Sequence, residues 1–287
     1  MRHFLGLGAQ RSGTTWLFEC LRSHPEIHLP DEKELQYFSD LEEINNAEKS
    51  LSWYLEKLQI TGSQKISGEI TPEYLLDPRA PQRIKEALNQ PRLIVCLREP
   101  VSRAVSAYKK GLRENKWDCS LEQFLAENKD HCLDRGLYAV QLERYLDLYP
   151  HQDICIKIYE DIALDPASFM RDIYQFLGVD PAFESPMLDF KFNIGAAGQP
   201  DRIRVVVFFR DLVYTLLGPV GRKWIVKAMQ RTPIGNRWMQ SLLKPEDSSQ
   251  KTPNPLLSTY RDLFRDDVRK TSSLVGRDLI SLWGYDG

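Results

Sequence analysis

One short stretch near the N-terminus carries residues whose types and spacing suit the handling of phosphate. In GLGAQRSGTTWL (residues 6–17), Gly8, Gly13 and Thr15 fit the spacing of the nucleotide phosphate loop, G-x-x-x-x-G-K-[ST], but Thr14 stands where the lysine belongs. The glycines let the backbone turn its N–H groups onto an anion. The start of the following helix adds positive potential, and the hydroxyls of Thr14 and Thr15 can donate hydrogen bonds. In ATP and GTP enzymes the lysine spans the β- and γ-phosphates while the Ser/Thr hydroxyl holds Mg²⁺. Here the nearby cation is Arg11, three positions earlier. The apolar run LIVCLREP (93–100) ends in arginine where a magnesium-binding acid would sit. The loop therefore suits a smaller anionic group held without metal, with an ordinary glycine turn between strand and helix as the alternative.

The elements that must position such a loop follow from the apolar pattern. HFLGLGA (3–9), RLIVCLR (92–98) and DICIKIYE (153–160) read as buried strands, and KISGEI (65–70) as a weaker fourth. Helical periodicity lies between them, at Thr14–Ser23, Arg79–Asn89, Val101–Arg113 and Leu137–Tyr149. Strands alternating with helices predict an α/β fold, a parallel sheet flanked by helices. Beyond Gly178 no further strand is expected. RIRVVVFFRDLVYTLL (202–217) has β-propensity, yet Leu212, Leu216 and Leu217 favour a helix. Leu256, Leu257, Tyr260, Leu263, Phe264 and Val268 then fall at helical spacing. A helical C-terminal region, about 200–287, packed on a core of about 3–180 predicts a single domain over 1–287.

Composition excludes several classes. At 287 residues, 42% hydrophobic and 27% charged, the chain can bury a core without disulfides or structural metal. A net charge of −2 gives no reason to expect nucleic acid as a partner, and no window approaches the apolar length of a transmembrane segment. The five cysteines (20, 96, 119, 132, 155) show no metal-binding spacing. Their odd number and the absence of an export signal point to a cytoplasmic location. Charge is uneven, however. Residues 202–244 carry nine Lys/Arg against one Asp, a net +8. This basic segment could close over an anionic cofactor, meet an anionic acceptor, carrier protein or membrane surface, or simply be a solvated face.

With these features together, QRSGTTWL resembles the 5′-phosphosulfate loop of sulfotransferases that use 3′-phosphoadenosine 5′-phosphosulfate (PAPS). LREPVSRAVSAY (97–108) resembles the same family's 3′-phosphate element. HPEIHLPDEKELQYFS, GEITPEYL, GLYAVQLERYLDLYP and KIYEDI follow in the family's order, and GRDLISLW fits the terminal helix of bacterial members. The resemblance covers residues 3–180 and implies a P-loop nucleotide-kinase-like α/β fold that takes PAPS as cosubstrate and needs no metal. It implies that Arg11 offsets charge on the bridging oxygen as the S–O bond breaks, and that Ser12, Gly13, Thr14 and Thr15 cradle the 5′-phosphate. Trp16 would stack on adenine, with core packing as the alternative. Arg98, leaving a strand's C-terminal edge, and Ser106, two turns into the next helix, would converge on the 3′-phosphate.

The acceptor hydroxyl needs a base. KELQYF aligns with the KEPxFF segment of family members that use glutamate and assigns Glu34 that role. A surface acid within the run Asp31, Glu32, Glu34 is the alternative, and His28 is the histidine candidate. His24 reads as structural, and His131 and His151 as loop or helix-edge residues. Glu69 would orient the acceptor or a cationic neighbour. Ile70 follows it where relatives acting on heparan sulfate often have lysine, a departure from the heparan-type pattern. Tyr74 reads as packing, while Tyr138 and Gln141 are candidates to line the site, with structural roles as the alternative. The family's late glycine-rich element has its nearest match in NIGAAGQPDRIR, offering Asn193, Arg202 and Arg204. The expected reaction is sulfuryl transfer to a hydroxyl-bearing acceptor, whether carbohydrate, lipid, polyketide or small alcohol. A nucleotide-dependent kinase of the same fold and a non-catalytic nucleotide-binding module are the competing readings.

Overall fold

The computed structural model describes residues 3–41, 49–127, 132–188 and 255–286. Its centre is β1 (His3–Gly8), buried from Phe4 onward. Strands β3 (Ile66–Ile70) and β4 (Arg92–Leu97) pair with it on either side. β5 (Ile154–Ile158) adds outside β4, and β2 (Ile27–His28) outside β3. The order is β2-β3-β1-β4-β5 with every pairing parallel. The four strands expected from runs of β-forming residues are present, and β2, too short for any periodicity, completes the sheet. Parallel strands need covering on both faces, which is why β1 and β4 are apolar with little alternation, and β3 is buried along its whole length although it carries Ser67 and Glu69.

Helices supply the cover. The loop after β1 leads into α1 (Thr14–Arg22). α2 (Leu51–Lys57) precedes β3, and α3 (Glu73–Leu76) and α4 (Ala80–Ala87) precede β4. α5 (Pro100–Arg113) follows β4, and α6 (Leu121–Glu127) and α7 (Tyr138–Leu146) precede β5. α8 (Glu160–Leu164) and α9 (Pro166–Leu177) follow it. The sites of interest lie where β1, β4 and β5 end and their helices begin.

The expected amphipathic C-terminal helix is α10 (Pro255–Val275), followed by α11 (Leu279–Trp283). Met1–Leu188 and Pro253–Gly287 form one compact unit. Phe264 and Val268 join Tyr138, Leu142 and Tyr145 of α7 in the main core, with Trp283 and Tyr285 beside them. Each such buried side chain contributes about 1.5–3 kcal/mol. Polar contacts fix the tail's register. Asp267 accepts from the N–H groups of Tyr138 (2.8 Å) and Ala139 (3.1 Å), capping α7. The Trp283 indole donates to Glu160 (3.1 Å) and the Tyr285 hydroxyl to Glu99 (2.7 Å), both just beyond the ends of β5 and β4. The C-terminal segment therefore braces the edge at which the phosphate-loop residues gather. No helix among the described residues is long and apolar enough to cross a membrane.

Candidate active site

The loop between β1 and α1 is held in an anion-binding form by its glycines and by a tether to β4. Gly13, at φ 82°, precedes the first turn of α1 in the left-handed region. A Cβ there would lie 3.0 Å from the Tyr159 ring. Ala9 N–H donates to the Cys96 carbonyl (2.8 Å), fixing the loop against the sheet. No side chain caps α1, so the first-turn amides, unpaired within any helix, remain available. The Ser12 hydroxyl is buried, with no hydrogen-bond partner among the described residues. An unpaired buried hydroxyl beside an uncapped helix start suits an anionic oxygen.

Three predicted residues converge here. Arg11 Nε donates to Ser106 Oγ (3.1 Å), and Arg98 donates through a terminal nitrogen to the Arg11 carbonyl (3.1 Å). Arg98 lies over the Tyr159 ring (4.5 Å to the centroid), and its buried Nε has no partner among the described residues. Arg11 is itself in the left-handed region at φ 68°, a conformation whose cost the surrounding structure must offset. Burial, followed by Arg113 and then Arg98, lowers the Arg11 pKa. An arginine nonetheless stays protonated. Cations gathered this closely favour a polyanion between them.

The facing wall is the loop after β2. Glu34 (φ 65°) and Gln36 (φ 54°) both occupy the left-handed region. What holds them is a buried acid, Glu69 of β3. It accepts from the hydroxyls of Tyr74 (2.6 Å), Thr71 (2.7 Å) and Tyr54 (3.2 Å) and from Leu35 N–H (3.4 Å). Two of those hydroxyls in turn accept from the loop, Thr71 from Gln36 N–H (3.3 Å) and Tyr74 from Phe38 N–H (3.4 Å). The amides of Leu35, Gln36 and Phe38 thus end, directly or through one hydroxyl, on a single carboxyl group. Burial raises the Glu69 pKa, against the lowering effect of its hydrogen bonds. Burial likewise raises both phenols.

Lys33 joins the two walls. Its ammonium donates to Thr15 Oγ1 (3.0 Å) and to Glu34 Oε1 (2.9 Å). These two oxygens are therefore within about 6 Å of each other, since one ammonium bonds both. A second buried group steadies the loop from behind. Glu73 pairs with Arg135 at 2.5 Å and accepts from the Gln10 amide (3.2 Å).

Of the residues expected from sequence, the structure brings together Arg11, Ser12, Gly13, Thr14, Thr15, Arg98 and Ser106, with Glu34 opposite. Trp16 has the contacts of a core residue. It is only 6% exposed, stands edge-on to Phe169 (5.7 Å between centroids) and donates to the Leu188 carbonyl (3.3 Å). This is the packing alternative to adenine stacking. Tyr138 has no exposed surface, and its hydroxyl donates to the Arg98 carbonyl (2.8 Å). It thus reaches the site through Arg98. Gln141 is buried, donating to the Asp134 carbonyl (2.6 Å). His28 engages the Lys57 carbonyl (3.1 Å) from the edge strand. His24 is buried against Tyr174 and Phe183, a structural role as expected. His131, Asn193, Arg202, Arg204 and the basic segment 202–244 lie outside the described residues. Sequence reasoning missed Lys33, although it adjoins Glu34 within the same KELQYF, and it missed the Glu73–Arg135 pair. Glu69, expected to orient the acceptor or a cationic neighbour, bonds Tyr54, Thr71, Tyr74 and Leu35 N–H and so clamps the Glu34 loop from beneath.

Comparison with known proteins places this geometry in context. The family model described as "Sulfotransferase domain" matches residues 2–191. Mouse heparan sulfate glucosamine 3-O-sulfotransferase 3B1 is 30% identical over 181 residues, 60% of this chain and 45% of the relative. Mouse bifunctional heparan sulfate N-deacetylase/N-sulfotransferase 4 is 30% identical over 201 residues, 63% of this chain and 22% of the relative. The chain thus spans less than half the length of these curated relatives. The crystal structure of a sulfotransferase from Alicyclobacillus acidocaldarius superposes with a TM-score of 0.61 at 27% identity, covering 75% of this chain and 94% of that one.

Proposed function

Because the chain belongs to the sulfotransferase domain family, we propose that it moves a sulfuryl group from PAPS to an acceptor hydroxyl by in-line transfer. The observation that carries this reading is the convergence of Arg11, Arg98 and Ser106 on one side of the loop with Glu34 on the other, joined through Lys33. A donor with one phosphate at each end of its ribose requires two anion sites. The uncapped start of α1 with Ser12 suits the 5′-phosphate, and Arg98 with Ser106 suits the 3′-phosphate. The donor set fits: the unpaired Ser12 hydroxyl and Arg98 Nε are buried donors aimed at no protein acceptor among the described residues.

Glu34 takes the acceptor's proton as its oxygen forms the new O–S bond. The S–O bond to the 5′-phosphate breaks, its electron pair stays on the phosphate oxygen, and Arg11 stabilises the charge that collects there. Thr15 and Glu34 stand within about 6 Å, so donor and base face one acceptor position and much of the rate comes from proximity. The acceptor class is a hydroxyl compound; the relatives named for 3-O-sulfation of heparan sulfate glucosamine support a sugar hydroxyl among the candidates. Phosphoryl transfer from ATP is disfavoured, because the apolar run in LIVCLREP ends in Arg98 where a magnesium-binding acid would sit.

The test is transfer of radiolabelled sulfuryl from PAPS to a panel of carbohydrate, lipid and phenolic acceptors, with and without chelator. The expected result is transfer that survives chelation and drops at least about 100-fold in Glu34→Gln. Transfer requiring a divalent metal, or undiminished in that variant, would overturn the assignment of the base or of the chemistry.

A further inference from the structure

The lysine absent from position 14 has a counterpart in space. Lys33 comes from the loop after β2, yet its ammonium rests on the hydroxyl of Thr15, the second residue of α1. Its root is fixed, because the next residue, Glu34, sits in the strained turn that Glu69 clamps through Leu35. Its four-carbon stem is flexible, and an ammonium offers three donors in a compact point charge. Two of them are directed at Thr15 and Glu34. The side chain is 24% exposed and that of Glu34 36%, so the pair is neither sealed in the core nor fully solvated.

We propose that Lys33 is shared between donor and base, and that binding of the donor transfers its ammonium from Glu34 to the sulfuryl oxygens. The proposal rests on the sulfotransferase reading above. A sulfuryl group carried on a phosphate at the start of α1 emerges beside Thr15, where the ammonium already lies. Its anionic oxygens compete with the Glu34 carboxylate for the same N–H donors. When they win, Lys33 takes over part of the charge borne by the lysine of an ordinary phosphate loop. Glu34, released from its ion pair, is free to accept the acceptor's proton. Lys33 keeps its own protons throughout. Occupancy of the donor site thus decides when the base is available, and the empty site holds its base neutralised.

This predicts an effect that depends on the sulfuryl group and not on the nucleotide, and it can be read without knowing the acceptor. Calorimetric affinities for PAPS and for 3′,5′-adenosine bisphosphate, which lacks the sulfuryl group, are compared across wild type, Lys33→Ala, Lys33→Arg and Glu34→Gln. Thermal melts confirm that each variant is folded. Lys33→Ala is expected to weaken PAPS about 10-fold while changing the bisphosphate less than about 2-fold, as for loss of one charge-assisted contact. Lys33→Arg recovers part of the loss. Glu34→Gln tightens PAPS several-fold, because the competing carboxylate is gone. A ratio of the two affinities that stays constant in Lys33→Ala or in Glu34→Gln overturns the proposal while leaving the sulfotransferase reading intact. A wild-type protein that binds neither ligand overturns both.

Discussion

Glu69→Gln tests the buried clamp beneath the Glu34 loop. The carboxyl group is fully buried and receives two donors on each oxygen, Tyr74 and Tyr54 on one, Thr71 and Leu35 N–H on the other. An amide keeps one acceptor and turns the other into a donor, so either orientation strands two groups. A buried donor without an acceptor costs about 1–3 kcal/mol. Rotation of the stranded hydroxyls recovers part of this, and removing a buried charge offsets more. The expected loss is about 2–4 kcal/mol where the carboxyl is ionised, the form that accepts all four hydrogen bonds. Its pH dependence has a definite sign. Burial raises the Glu69 pKa in the native state, so wild type is most stabilised by this group below the ordinary glutamate value of about 4.3 and loses that stability as pH rises through the raised value. The glutamine of the variant does not titrate, so the gap between wild type and variant narrows toward alkaline pH. Urea unfolding followed by tryptophan fluorescence at a series of pH values measures it. The clamp holds the Glu34 loop and not the phosphate loop. Affinity for 3′,5′-adenosine bisphosphate should therefore stay within about 2-fold, while acceptor turnover falls about 10-fold or more. A loss under about 0.5 kcal/mol, or a gap that widens with pH, would refute the reasoning.

Gly13→Ala forces a Cβ to 3.0 Å from the Tyr159 ring at a backbone angle L-residues rarely adopt; nucleotide binding measured by calorimetry should be lost, with a destabilisation of about 1–3 kcal/mol. Tyr138→Phe removes the hydroxyl that bonds the Arg98 carbonyl and should weaken bisphosphate binding about 3- to 10-fold at a stability cost near 1 kcal/mol, whereas an analogue lacking the 3′-phosphate should bind both proteins alike. Arg135→Met leaves Glu73 buried without its cation and should cost about 3–5 kcal/mol by denaturant titration.

The sheet was legible where strands are long and apolar. The runs around Phe4, Leu93 and Ile154 could only be buried strands between helices, and the glycine turn after the first marked the anion site. β2 escaped because two residues show no alternation. Arg11, Arg98 and Ser106 were recoverable from the family resemblance, whose spacing carries over because local structure sets their placement, a strand end or a helix turn. The contacts of Glu69 and Tyr138 were not legible, for a common reason. Each is polar and adjacent to motif residues, and only the three-dimensional packing reveals that its polar atoms point inward, Glu69 to Leu35 and Tyr138 to Arg98. Lys33 was hidden in plain view: a lysine in an acidic run reads as solvated charge until the turn at Glu34 brings it against Thr15.

The loop, Arg98 and Ser106 form the proposed site for a nucleotide bearing phosphates at both the 5′ and 3′ positions. The decisive measurement is calorimetric titration with 3′,5′-adenosine bisphosphate beside ATP with Mg²⁺. Micromolar or tighter binding of the bisphosphate without metal, lost on Arg98→Ala, is the expected result. Preference for ATP with Mg²⁺, or indifference to the 3′-phosphate, would contradict it.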